Sequence, residues 1–263
     1  MGMTAQAYVD RILAATGCAV IEGTRDTFKF GDPATQVRGV ATAFMASLDV
    51  LQRAAAKGFN LVITHEPTFY DDAELAGPLG DDAVIAAKSA FLKEHGIVVW
   101  RFHDYWHRRK PDGIREGIIH ELQWQSFQTS DNPALFTVPE MTLTALAETV
   151  KARLGAKVVR VVGKPEMRCR QIALAPGFPG STWQMKLLQR PDVEVLLTGE
   201  TREWETNEYV RDAVTAGMNK ALILAGHCNS EEAGMGNLAA WLRQIVPEVK
   251  AEFMPAGDPF RAA

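Results

Sequence analysis

Leu61-Val-Ile-Thr-His-Glu-Pro67 is an apolar run that stops abruptly at two adjacent potential metal ligands, His65 and Glu66. Two later stretches repeat the pattern. Ile97-Val-Val-Trp-Arg-Phe102 runs into His103, with His107 four residues on, and Ala221-Leu-Ile-Leu-Ala-Gly226 runs into His227, with Glu231 four residues on. Each reads as a buried strand that delivers ligands at its carboxyl end, which is where open α/β sheets form their sites. Three such strand ends from distant parts of the chain are expected to converge on one cluster.

Outward from these strands, helical and strand-like segments alternate. Residues 4–15 carry Tyr8, Val9, Ile12 and Leu13 at helical spacing and stop at Gly17, as a C-terminal glycine predicts. A second helix is predicted over 48–57, with Ser47 as N-cap and Gly58 in the left-handed position. The acidic stretch 70–82, punctuated by Gly77, Pro78 and Gly80, reads as a loop, with a lid as the sharper alternative. Helices follow over 82–95 and 114–122.

The polar stretch 125–139, with Asn132-Pro133 and Pro139, is the best boundary between two halves. It divides the chain into 1–128, carrying the first two ligand strands, and 129–263, carrying the third. Beyond it come a helix over 142–154, strands over 158–163, 171–175 and 193–198, a helix over 205–216 and a helix over 235–245. A strand over 249–253 is placed to close the sheet. The turn Pro176-Gly-Phe-Pro-Gly-Ser-Thr182 offers backbone N–H groups of the kind that hold anions, although it matches no nucleotide-binding pattern. Alternation of this kind predicts an α/β fold with parallel βα units.

Composition limits the function classes. The 263 residues are 47% apolar, with a net charge of −4 and a pI near 5.9, which gives no basic footprint for nucleic acid. No apolar run approaches the roughly 18 residues of a membrane span, and the Met-Gly-Met-Thr start lacks a signal-peptide pattern. Cys18, Cys169 and Cys228 are odd in number and far apart, unlike a disulfide framework. A reduced, cytoplasmic setting is the expectation. A dinucleotide-binding reading fails for want of the glycine fingerprint.

Imidazole and carboxylate donors together suit zinc, iron and manganese, and His65, Glu66, His103, His107, His227 and Glu231 supply six. The i, i+4 spacings within the second and third pairs place both donors on one side if a helical turn follows the strand. His95 and His120 sit near helix ends and read as spectators. A thiol reading of Cys228, beside His227, is weaker than that of a buried inert cysteine.

The segment Asn60-Leu-Val-Ile-Thr-His-Glu-Pro67 resembles the D-L-I-I-S-H-H-P signature of the NIF-three-like dinuclear metal-centre family, also called type-two GTP cyclohydrolase. Gly226-His-Cys-Asn-Ser-Glu231 is similar to that family's G-H-x-x-[ST]-E element, and Leu197-Thr-Gly-Glu200 to its T-G-[DE] strand end. Two positions depart from the pattern. Glu66 stands where the family has a second histidine, and His107 where it has an aspartate; both swaps exchange one donor for another.

The resemblance implies two similar α/β halves facing each other across a dinuclear metal site, with no inserted middle domain and with copies assembled into a homohexameric ring. It implies two divalent ions and hydrolysis of a small molecule at an amide-like or ring C–N bond, with a metal-bound hydroxide as nucleophile. Glu200 is then the candidate general acid or base, and Arg101 and Arg202 are candidates for holding an anionic substrate. A non-enzymatic metal-binding regulatory or scaffold protein is the alternative.

Overall fold

The apolar run 61–64 forms β3 (Leu61–Thr64), the middle of three parallel strands with β2 (Val40–Ala43) and β4 (Val98–Arg101). All four residues of each strand are buried, as expected where a parallel sheet is covered on both faces. Successive side chains alternate between two layers. Leu61 and Ile63 pack with Tyr8, Val9 and Ile12 of α1 (Ala5–Thr16), whereas Val62 packs with Val50, Leu51 and Ala54 of α2 (Leu48–Ala56). The computed structural model describes residues 2–71, 82–129 and 132–261. The segment 72–81, which holds most of the expected acidic loop with Gly77, Pro78 and Gly80, lies outside them.

Helix ends follow the sequence signals. The Thr4 and Ser47 side chains accept from Ala7 N and Val50 N at the starts of α1 and α2, and Gly17 closes α1 at φ 67°. Asp82 caps α3 (Ala83–Glu94) by accepting from Val84 N and Ile85 N. Two edge strands complete this sheet: β1 (Phe28–Phe30), antiparallel to β4, and β10 (Ala251–Phe253), parallel to β2.

A second five-stranded sheet has the order β5-β7-β8-β9-β6. Its centre is again three parallel strands, β7 (Arg168–Ala175), β8 (Val195–Thr198) and β9 (Ala221–Leu224), joined through α7 (Ser181–Leu188) and α8 (Glu208–Thr215). The antiparallel edges are β5 (Leu135–Thr142) and β6 (Arg160–Val162). Val195 and Leu197 face a layer containing α5 (Gly113–Leu122) and α6 (Leu143–Arg153), and Leu196 faces a layer with α7 and α8.

The chain groups into two compact units, Met1–Glu116 with Gly234–Ala256, and Gly117–Ala233 with Gly257–Ala263. A cut at 128/129 therefore runs elsewhere than the grouping of contacts: the division falls inside α5 and inside α9 (His227–Ile245). The polar stretch 125–139 is not a plain connection. It contains one 3-10 turn (Gln125–Phe127) and more than half of β5. Pro139 sits where the β5–β7 register breaks between Thr137 and Met141, and an edge strand tolerates proline at such an irregularity. The last long helix likewise starts at His227, eight residues before the expected position at Met235. Cys228, Asn229, Ser230 and Gly234 have weak intrinsic propensity, and packing outweighs it.

Candidate functional site

In the first unit, the carboxyl ends of β3 and β4 place three imidazoles together. The ring centroid of His65 lies 4.4 Å from that of His103, stacked, and 5.0 Å from that of His107, edge-on; His103 and His107 are 4.9 Å apart. One ligand nitrogen from each falls within 4.8 Å of the others. His65 is fully buried, whereas the side chains of His103 and His107 are 26% and 28% exposed. The group is therefore anchored inside and open on one side.

His103 and His107 share a face because α4 (Asp104–Arg108) turns helical immediately after β4, with His107 N–H donating to His103 O at 3.1 Å. The turn is held from a distance. The Asp26 carboxylate accepts the backbone N–H groups of His103, Asp104 and Tyr105 at 2.7, 2.9 and 2.9 Å, satisfying donors that the start of a helix leaves open. Burial pushes the Asp26 carboxyl above its ordinary value despite these bonds.

Each imidazole meets an acceptor at Nδ1. His103 Nδ1 is 2.9 Å from Asp104 Oδ1, His107 Nδ1 is 3.1 Å from Asp112 Oδ2, and His65 Nδ1 is 3.4 Å from Phe102 O. With Nδ1 engaged, coordination falls to Nε2, the arrangement by which outer partners orient metal-binding histidines. The carboxylates are themselves fixed. Asp104 Oδ2 accepts from Thr24 Oγ1 and Arg25 N, both at 2.9 Å, and Asp112 Oδ1 accepts from Ile114 N and Arg115 N at the start of α5. The bond to His103 holds Asp104 well below the usual carboxylate range. For Asp112, burial works upward, but the bonds to His107 and the Arg115 backbone outweigh it.

Glu66 follows His65 in the same turn, which Arg101 braces. Arg101 Nε donates to His65 O at 3.0 Å and Nη2 reaches Glu66 Oε2 at 3.3 Å, with the guanidinium only 1% exposed. Arg101, buried at the last position of β4, thus braces the turn that carries His65 and Glu66.

The second unit brings together His227, Glu231 and Glu200. Gly226 adopts φ 96° after β9, and His227 opens α9, so Glu231 falls one turn on. His227 Nε2 and Glu231 Oε2 are 3.2 Å apart, with Glu231 buried. His227 Nδ1 lies 2.9 Å from Glu200 Oε2, the same arrangement as in the first unit. Glu200 follows β8, and Gln184 Nε2 donates to its carbonyl at 2.8 Å, so the strand end is held from α7. Glu200 thus stands against His227 Nδ1 as Asp104 and Asp112 stand against His103 and His107.

The turn 176–182 passes close to this pair. Gly177 has φ 64°, and a Cβ there would lie 2.1 Å from Glu231 Oε1 and 3.1 Å from His227 Nε2. The missing side chain leaves room for the donor pair. Arg202 is exposed, pairs with Glu205 at 3.3 Å and lies 6.0 Å from the Phe178 ring. Cys228 Sγ contacts Gly257 O at 3.6 Å; burial, reinforced by Glu232 and Asp258, pushes its thiol far up, which removes the basis for a thiolate reading. His95 packs on Phe91, and His120 lies exposed in the last turn of α5, both as spectators.

The donor sets fit a divalent cation by their chemistry and by the space at Gly177. Sequence reasoning missed Asp26 and Asp112. Asp112 carried a signal, since Asp-Gly before an apolar helix is an N-cap pattern; Asp26 acts on a turn 77 residues away and carried none.

The sequence profile of Duf34/NIF3 (NGG1p interacting factor 3) matches residues 26–259. A Clostridium acetobutylicum protein named GTP cyclohydrolase 1 type 2 homolog is 24% identical over 212 residues, covering 76% of this chain and 75% of its own. A Chlamydia pneumoniae protein of the same name is 24% identical over 241 residues, covering 88% of each. Among solved structures, a Bacillus cereus protein related to NIF3 superposes with a TM-score of 0.79 at 15% identity, and a Staphylococcus aureus hypothetical protein with 0.77 at 19%. Both cover 100% of either chain. At these identities the structures establish a shared fold. Among the described residues no helix is long and apolar enough to cross a membrane.

Proposed function

Since the chain belongs to the Duf34/NIF3 family, we propose that it is a metal-dependent hydrolase acting on a small molecule at an amide-like or ring C–N bond. The proposed ligands are His65, Glu66, His103 and His107 from the first unit and His227 and Glu231 from the second, serving two divalent ions of zinc, iron or manganese. The observation that carries the reading is the common orientation of four histidines, each with Nδ1 against an oxygen acceptor. Metal-binding histidines almost always give their other ring nitrogen to such a partner. The relatives' name supports C–N ring hydrolysis as the bond type.

When bound, such ions supply Lewis acidity and bring the ionisation of water toward neutral pH. The chain's own part is positional. Asp104 and Asp112 fix the tautomers of His103 and His107, Arg101 holds the His65–Glu66 turn, and Glu200 holds His227. The partial exposure of His103 and His107 gives a substrate access to one side of the first donor set.

Elemental analysis of His65→Ala and His227→Ala is expected to show metal content well below that of the wild type. Unchanged stoichiometry in both variants would sink the reading. Turnover of a panel of cyclic amides, nucleotides and phosphodiesters should track occupancy. Activity that survives complete chelation would refute metal dependence, and full occupancy with no turnover across the panel would favour the non-enzymatic alternative.

A further inference from the structure

A cavity of about 420 Å³ opens beside the first donor set, lined by Ile21, His103, Asp104, His107, Arg108 and Lys110. We propose that Arg108 and Lys110 form the anion subsite of this cavity and hold a doubly charged phosphate group of the substrate next to His103 and His107; the assignment rests on the metal-site reading above.

The run Arg108-Arg109-Lys110 divides by geometry. Arg109 leaves α4 with extended backbone, φ −51° and ψ 151°, and it is absent from the cavity lining that holds its two neighbours. Arg109 is committed to structure: it pairs with Glu116 at 3.1 Å, donates to Pro111 O at 3.0 Å and lies over the rings of Trp106 and Trp241. Arg108 and Lys110 line the cavity instead, both exposed, and among the described residues neither has a carboxylate partner.

The one acid that lines the cavity does not answer them. Both Asp104 oxygens are occupied, by His103 Nδ1 on one side and by Thr24 Oγ1 and Arg25 N on the other. Two unanswered positive charges match a phosphate monoester, which carries nearly two negative charges at neutral pH, better than a carboxylate. A guanidinium adds forked hydrogen bonding and an ammonium adds a point charge, the usual division of labour on phosphate. The cavity holds a phosphate and part of the group it is attached to, with the scissile bond toward the imidazoles.

The test is calorimetric titration of inorganic phosphate into wild type, Arg108→Ala/Lys110→Ala and the exposed pair Arg153→Ala/Lys164→Ala, each as purified and after chelation. The first double variant is expected to lose affinity by about tenfold or more, from two lost charge-assisted contacts, with metal content by elemental analysis unchanged. The second should bind as wild type does. Equal affinity in the Arg108/Lys110 variant, no phosphate binding by wild type, or acetate binding as tightly as phosphate would each overturn the assignment. A wild type that holds no metal overturns the metal reading instead; the phosphate comparison on chelated protein then still decides the subsite by itself.

Discussion

Asp26→Asn probes how far the ligand geometry depends on a residue outside the cluster. The carboxylate serves three backbone donors: Oδ1 takes His103 N and Asp104 N, and Oδ2 takes Tyr105 N. Asparagine keeps one acceptor oxygen and turns an NH₂ toward the remaining donor, so one buried N–H loses its partner at a cost of about 1–3 kcal/mol. Relief of the carboxylate's burial, which already raises its pKa, offsets part of this and leaves roughly 1–2 kcal/mol. For a chain of this length that lowers Tm by roughly 2–8 °C. Because α4 carries both His103 and His107, metal affinity should fall by about tenfold, the low end for outer-partner changes. Thermal unfolding of the chelated protein reads the first quantity and competition with a chromogenic chelator reads the second. If Tm stays within about 1 °C and affinity within about twofold, Asp26 does not set the geometry of the turn and the reasoning fails.

Two more substitutions separate roles in the second unit. Gly177→Ala pushes a methyl to 2.1 Å from Glu231 Oε1 and strains a left-handed backbone by about 1–2 kcal/mol. Elemental analysis should show metal lost from this variant and retained by Gly180→Ala, whose φ of 93° is strained but whose Cβ would meet open space; equal retention in both would refute a donor role for His227 and Glu231. Glu200→Gln keeps an acceptor for His227 Nδ1, so its activity should recover when metal is supplied in excess. A persistent loss of about 10²–10⁴-fold at saturating metal would make Glu200 the proton-transfer group after all.

The alternation of strands and helices was legible because buried parallel strands need continuous apolar runs and their ends need polar stops. Leu61–Thr64, Val98–Arg101 and Ala221–Leu224 each announce themselves in this way. Edge strands were not legible. Phe28–Phe30 is only partly buried and pairs antiparallel with the distant Val99 and Trp100, and β5 hides behind Asn132-Pro133 and Pro139, which in a central strand would be breakers. The start of α9 was misplaced for a related reason: its first turn is made by packing and by the ligand pair, with little help from the propensities of Cys228, Asn229 and Ser230.

The candidate donors were readable because imidazole and carboxylate at strand ends are chemically conspicuous, whereas their supports are generic residues whose meaning depends on a distant partner. Arg101 shows the difference most clearly. By type it reads as a substrate clamp; at the last position of β4 it is buried, with contacts to His65 and Glu66 that only the folded chain brings to it. The departure at Glu66 follows the same logic. A neutral histidine at that position could accept a hydrogen bond from Arg101 but could not form an ion pair with it, whereas a carboxylate does so and keeps a second oxygen for a cation. In this chain Glu66 and the buried Arg101 therefore act as a pair. A metal held there meets a carboxylate whose charge is already partly answered by a guanidinium, and so its affinity should depend on Arg101 as much as on Glu66 itself.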